Sequence, residues 1–246
     1  FDGSVTMIAE GGGRVVGVGN SGGGPGSIYT SVDGSRWASN NTGFADNFIS
    51  LRYLNGAFLA YSVSPKSVIR STDGTNFVRS VPGPSIRDIL WDGARYVGFA
   101  NTGNSLYSSA DGVDWTAIPG VTHPATFATT TGIGSFAYLD GRYLIFAQGY
   151  GGETRFFSSL NLTNWTTNII SSASGAPNYN YSDIIKSGNK YYLSAQQGLW
   201  SSTDGITWTG INYLFQSAVT PRPAATSISG RSLRLYTMQF LGANTY

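Results

Sequence analysis

Short apolar runs that alternate with polar residues, each broken by a glycine turn, recur along this chain. Leu54-Asn55-Gly56-Ala57-Phe58-Leu59, Trp91-Asp92-Gly93-Ala94-Arg95-Tyr96, Leu139-Asp140-Gly141-Arg142-Tyr143-Leu144 and Lys186-Ser187-Gly188-Asn189-Lys190-Tyr191 all follow that pattern, with weaker copies at Gly13 and Gly230. Period-two alternation marks a strand with one buried face. Asn-Gly or Asp-Gly between two such runs marks a hairpin, because a type I′ turn needs positive φ at both central residues. No 3.6-residue pattern of useful length competes with it. The expectation is an all-β chain.

A second pattern alternates with the first. Ser-x-Asp-Gly-x-x-aromatic occurs at Ser31–Trp37 (Asp33), Ser71–Phe77 (Asp73), Ser109–Trp115 (Asp111) and Ser202–Trp208 (Asp204). A degenerate copy at Ser159–Trp165 keeps the Ser and the Trp but has Asn161-Leu162 in place of Asp-Gly. The closing aromatics Trp37, Phe77, Trp115, Trp165 and Trp208 are spaced by 40, 38, 50 and 43 residues. Each unit then reads strand, Gly turn, strand, loop, strand, Asp-Gly corner, strand. Four strands per roughly 40–45 residues is the period of a β-propeller blade. The expected organisation is one propeller domain over residues 1–246, with repeats at about 4–44, 45–83, 84–120, 133–170 and 180–212 and a partial sixth at 224–246.

Local chemistry accounts for the corners without invoking function. The Asp carboxylate and Ser hydroxyl can accept bonds from backbone N–H groups that the turn exposes. Gly takes the conformation that a Cβ would penalise. The ring that follows is expected to bury itself against a neighbour, contributing about 1.5–3 kcal/mol.

At these residues the chain resembles the Asp-box, or BNR, repeat family, whose familiar form is Ser-x-Asp-x-Gly-x-Thr-Trp. The box here is one residue shorter, and only Thr207 stands at the family's Thr position. The resemblance covers residues 4 to about 210. It implies a propeller whose boxes sit on the outer rim, away from any active site. The family includes sialidases, other glycan-processing enzymes, sorting receptors and many bacterial and phage propellers without known catalysis, and the short box is most similar to the last group.

Composition narrows the function classes. Charged residues are 11% of the 246 positions, against 41% hydrophobic and 14% aromatic. Charge near 11% is well below the roughly 25% of an average globular chain, so Ser, Thr and Asn must supply solubility. Such a profile points to an extracellular, cell-surface or virion setting. The net charge of +2 comes from dispersed arginines, whereas duplex binding needs clustered phosphate contacts; nucleic acid is not an expected partner. There is no cysteine, which excludes thiolate metal sites and Cys nucleophiles. No run approaches the roughly 18–20 apolar residues of a membrane span, and no signal peptide begins at Phe1.

The resemblance to sialidases would require an arginine clamp, a Tyr–Glu nucleophile pair and an Asp acid. Arg52 and Arg87 lie four and six residues before their turn glycines, and equal parity puts them on comparable faces of different blades. They are candidates for ligand binding, or else for packing between blades. Glu10 abuts a Gly turn and Glu153 lies in a Gly-rich loop, so neither suits a Tyr–Glu pair. Asp88 and Asp183 share one offset, five residues before Gly93 and Gly188, as a two-carboxylate site or as polar groups at strand starts. His123 is the only histidine. Gly17–Gly23 matches Gly-x-Gly-x-x-Gly and Gly-x-Ser-x-Gly on paper, but Gly24-Pro25-Gly26 follows where those motifs need a helix. No catalytic residue, metal or cofactor is expected.

Three segments break the repeat period: Val121–Ser135, Gly149–Arg155 and Ile170–Tyr181. Tyr150, Tyr179 and Tyr181 sit there among Asn, Ser and Gly, and Arg155 closes the second segment. Tyrosine among small polar residues suits recognition of sugars or protein surfaces. The expected function is non-enzymatic binding of glycan or protein surfaces. Two alternatives stand beside it. One is a structural subunit, such as a phage-tail or surface-filament component, that assembles with like or unlike chains through its incomplete last repeat. The other is a glycan-active hydrolase.

Overall fold

The computed structural model describes residues 4–20, 26–40, 47–63, 66–80, 86–100, 105–119, 130–149, 154–170, 183–195 and 198–211. These hold twenty strands in five four-stranded antiparallel sheets, each a meander in chain order. The first contains β1 (Ser4–Gly11), β2 (Arg14–Asn20), β3 (Ser27–Ser31) and β4 (Ala38–Asn40). The second contains β5 (Phe48–Leu54), β6 (Ala57–Val63), β7 (Lys66–Ser71) and β8 (Val78–Arg79). The third contains β9 (Ile86–Trp91), β10 (Tyr96–Ala100), β11 (Leu106–Ser109) and β12 (Thr116–Ala117). The fourth contains β13 (Thr130–Leu139), β14 (Arg142–Gly149), β15 (Thr154–Ser159) and β16 (Thr166–Ile170). The fifth contains β17 (Asp183–Ser187), β18 (Lys190–Ala195), β19 (Gly198–Ser202) and β20 (Thr209–Ile211). Sheets one to three belong to a compact unit Phe1–Val121, and sheets four and five to a second, Thr122–Tyr246.

Among the described residues the hairpins form where the glycine pattern places them, and the copy at Gly230 lies outside them. Asn55 and Gly56 have φ of 46° and 76°, and Asp140 and Gly141 have 53° and 73°, the double positive φ of a type I′ turn. The Asp92–Arg95 turn is built differently. The Asp92 carboxylate accepts the N–H groups of Ala94 and Arg95, each at 2.9 Å, and the Asp92 N–H donates to the Arg95 carbonyl at 3.1 Å. The glycine is therefore second in the Asn55-Gly56 loop but first in Gly93-Ala94.

Within each unit the core lies between successive sheets. Val16, Val18 and Ile28 of the first pack on Phe48, Leu51, Phe58, Ala60 and Ile69 of the second. The opposite face of the second sheet presents Ala57, Leu59, Tyr61 and Val68 to Ile86, Ile89 and Tyr96 of the third. In the second unit, Leu144, Phe146 and Phe156 meet Ile184, Tyr191, Leu193, Trp200 and Trp208. Each fully buried large side chain here contributes about 1.5–3 kcal/mol. The second sheet needs a neighbour on each side because β6 buries Phe58, Leu59, Ala60 and Tyr61 in succession and is apolar on both faces there.

A four-stranded meander puts its first and third turns at one end and its second turn and exit at the other. The glycine hairpins and the Ser-x-Asp corners thus share one end of each sheet. The links from second to third strand, and from one sheet to the next, leave from the opposite end.

Candidate functional site

Each corner is a closed hydrogen-bond system six residues long. The five serines Ser31, Ser71, Ser109, Ser159 and Ser202 are buried, so their hydroxyls need partners. Each accepts the N–H three residues on (Gly34, Gly74, Gly112, Leu162 and Gly205, at 2.7–2.9 Å). Each donates to the side-chain oxygen two residues on (Asp33, Asp73, Asp111, Asn161 and Asp204). The same Oδ1 accepts two further N–H groups, from Ser35 and Arg36 in the first corner and from Ile206 and Thr207 in the last. Asn161 reproduces the pattern with the N–H groups of Thr163 and Asn164 at 3.0 and 2.9 Å.

Those donated N–H groups favour ionised carboxylates. The N–H groups of Arg36 and then Ser35 hold Asp33 down at about 2. Asp73 is lowered by Asn76 and Thr75, and Asp111 by Asp114 and Val113. For Asp204, burial pushes upward, but the N–H groups of Ile206 and Thr207 and further hydrogen bonds leave it lowered. The corner carboxylates are thus held ionised by the backbone of their own turns.

The ring that ends each corner behaves differently from one corner to the next. Trp37, Trp115 and Trp165 are half-buried and fold back, each donating Nε1–H to the carbonyl of Gly34, Gly112 or Leu162 at 3.0–3.2 Å. Phe77 packs at the margin of the first core cluster. Trp115 likewise packs at the margin of the cluster between the second and third sheets, and Trp208 is buried deepest: it is 5% exposed and stacks on Phe156 with ring centroids 4.9 Å apart. Among the described residues its Nε1 has no hydrogen-bond partner.

Side chains on the first strands join neighbouring sheets. The Arg52 guanidinium donates two bonds to Asp88, Nε to Oδ1 at 2.7 Å and Nη2 to Oδ2 at 2.9 Å. Asp88 Oδ1 also accepts the N–H of Ile89. Arg52 thus bridges β5 to β9, as packing between blades requires. The parity argument linking Arg52 to Arg87 fails. Aligning Tyr53↔Phe58 with Trp91↔Tyr96 places Arg52 opposite Leu90, because the glycine occupies different loop positions. Arg87 coincides instead with Ile49, at a register irregularity present in both sheets. Asp88 and Asp183 do share a register, paired with Phe99 and Ser194 three residues past the equivalent Tyr96 and Tyr191. They belong to different units.

A second cluster had no distinctive sequence signal. At the β13–β14 turn Asp140 accepts Lys186 Nζ at 2.7 Å and the Tyr191 hydroxyl at 2.6 Å. The ammonium and then the hydroxyl lower Asp140, while burial and then Asp140 raise Tyr191 to about 12. Tyr96 does equivalent work in the first unit, donating its hydroxyl to the Leu54 carbonyl. Both are fastenings between a hairpin and the next sheet.

Of the expected ligand-binding residues, Tyr150, Tyr179 and Tyr181 lie outside the described residues, as do His123, Glu153 and the 224–246 repeat. Arg155 is buried at 8% exposure on β15, paired in register with Ala147 and Ile169. It sits at the end of the sheet opposite the corners, where the Gly149–Thr154 and Ile170–Asp183 links also begin and finish. Among the described residues no three His, Cys, Asp or Glu side chains form a metal-binding group. Among the described residues no helix is long and apolar enough to cross a membrane.

Comparison with known proteins bears on the fold. The DUF6242 beta propeller domain family matches residues 121–217. Comparison with curated proteins gives no match. Among solved structures the chain is similar to YCF48 from Cyanidioschyzon merolae, at TM-score 0.53 and 15% identity over 83% of this chain and 68% of that one. It is similar to the GH74 xyloglucanase from Xanthomonas campestris, at 0.50 and 12% over 81% and 45%. It is also similar to the SapL1 lectin in complex with alpha methyl fucoside, at 0.50 and 12% over 86% and 82%. Together with the five sheets, these place the chain among the β-propellers, and at such identities they speak for the fold alone.

Proposed function

We propose that this propeller is a non-enzymatic binding module that recognises glycan or protein surfaces outside the cell or on a virion. Its recognition surface is the end of the fourth and fifth sheets opposite their Ser-x-Asp corners. The observation that carries the reading is the division of labour between the two ends. Every corner carboxylate is occupied by its own backbone N–H groups, and the Arg52–Asp88 pair is satisfied between sheets. The segments that break the repeat leave from the other end and carry Tyr150, Tyr179 and Tyr181. Loops on a rigid β scaffold are where recognition residues concentrate.

The corners themselves are read as a short form of the Asp box. The SapL1 lectin, solved with alpha methyl fucoside, has the same fold class, so a propeller of this kind is compatible with sugar recognition. The test is a glycan array and a surface-protein panel with the whole chain. Tyr179→Ala with Tyr181→Ala is expected to lower binding at least about tenfold with the thermal midpoint unchanged. Absence of any specific ligand, or cleavage of an oligosaccharide panel by the chain, overturns the reading. Cleavage would favour the hydrolase alternative, to which the fold likeness with a xyloglucanase is also compatible.

A further inference from the structure

The five sheets end differently at their outer edges. Strands β4, β8, β12 and β20 are two or three residues long, whereas β16 has five, Thr166-Thr167-Asn168-Ile169-Ile170. All five residues pair with β15 in unbroken register, from Ser158↔Thr166 to Thr154↔Ile170. Its other edge carries backbone N–H and C=O groups with no strand partner among the described residues. Native sheets usually blunt such an edge with short length, a bulge, Pro or charge, and β8 does so with Arg79. The β16 edge has none of these devices. No charged residue occurs anywhere from Phe156 to Ser182. Apolar surface accompanies the edge: Ile169 is 49% exposed, and Leu160, in the corner leading into β16, is 65% exposed.

We propose that β16 is an interaction edge that pairs antiparallel with β16 of a second copy of this chain about a two-fold axis. The uncharged edge is complementary to a second copy of itself. Self-pairing centred on Asn168 sets Asn168 against Asn168 and Thr167 against Ile169, so no like charges meet. A charged partner strand would find no countercharge. Two β-branched residues opposed across a pair are favourable neighbours. The contact is isologous, so it closes at two copies instead of growing into a filament. A five-residue edge is a small interface, which makes the dimer weak and concentration-dependent. Two recognition ends on one particle would then gain avidity for a repetitive surface.

Sedimentation velocity of the full chain over a concentration series tests this. The wild type is expected to show a reversible monomer–dimer equilibrium. Ile169→Lys and, separately, Thr166→Lys are expected to weaken it about tenfold or more, while the exposed Ile8→Lys on β1 leaves it unchanged. Thermal unfolding identifies a variant that no longer folds, and the other then decides. A chain monomeric up to its solubility limit overturns the proposal. So does a dimer indifferent to both β16 substitutions, or one equally sensitive to Ile8→Lys.

Discussion

At the scale of single residues the corners explain themselves. The Asp33 carboxyl sits at about 2 because the N–H groups of Arg36 and Ser35 point at it. A carboxylate lowered in the folded state contributes stability that is complete above its unfolded value near 4 and disappears as pH falls toward the folded one. Urea unfolding at stepped pH should therefore show stability falling between about pH 4 and 2, and Asp33→Asn should flatten its share of that slope. Asn161 shows that the amide still accepts both N–H bonds. The degenerate corner carries a different cost. Leu162 holds φ at 66° and is 1% exposed. A left-handed conformation costs a non-glycine residue about 1–2 kcal/mol, and burying leucine returns about 1.5–3 kcal/mol before any cavity. Leu162→Gly is thus expected to destabilise by about 1 kcal/mol or more, read as a lower denaturant midpoint.

At the scale of elements, turn chemistry sets register and register sets neighbours. The Asx arrangement of Asp92 moves its glycine one place in the loop, and that single step separates Arg52 from Arg87. Close approach matters as much. A Cβ on Gly11 would lie 2.0–2.2 Å from the Tyr53 ring, so the first hairpin is the floor on which the second sheet's aromatic rests. Gly11→Ala must displace that ring from its tilted contact with Phe58, whose centroid is 4.7 Å away. Overpacking of this kind costs about 1–3 kcal/mol. The expected result is a lower thermal midpoint, and Tyr53→Ala in the Gly11→Ala background should show non-additivity between these neighbours.

At the scale of the whole molecule, cohesion within each unit comes from apolar faces between sheets together with a few long-range polar fastenings. Arg52–Asp88 spans 36 residues and Tyr191–Asp140 spans 51. Asp88 is 8% exposed, so removing the guanidinium strands a mostly buried carboxylate. A double-mutant cycle on Arg52→Ala and Asp88→Ala is expected to give a coupling of about 1–2 kcal/mol in unfolding free energy. A ligand-clamping arginine would instead cost binding and leave stability almost untouched. A coupling near zero would return Arg52 to the ligand-binding candidates.

The chain's local pattern determined the hairpins, the five corners and the four-stranded period. The physical reason is range: a corner satisfies its Ser, its Asp and its N–H groups within six residues, and a type I′ turn is settled by two. What only the tertiary structure decided is which side chains meet across sheets. A one-place shift of glycine and a bulge at Arg87 redirect side chains that counting places together. The partner of Arg52 is fixed by the sheet beside it, and Trp208 stacks on Phe156 only because β15 and the last corner come together. Asp140, Lys186 and Tyr191 were legible as turn and strand residues but not as a cluster, since packing, not sequence spacing, brings a turn against the following sheet.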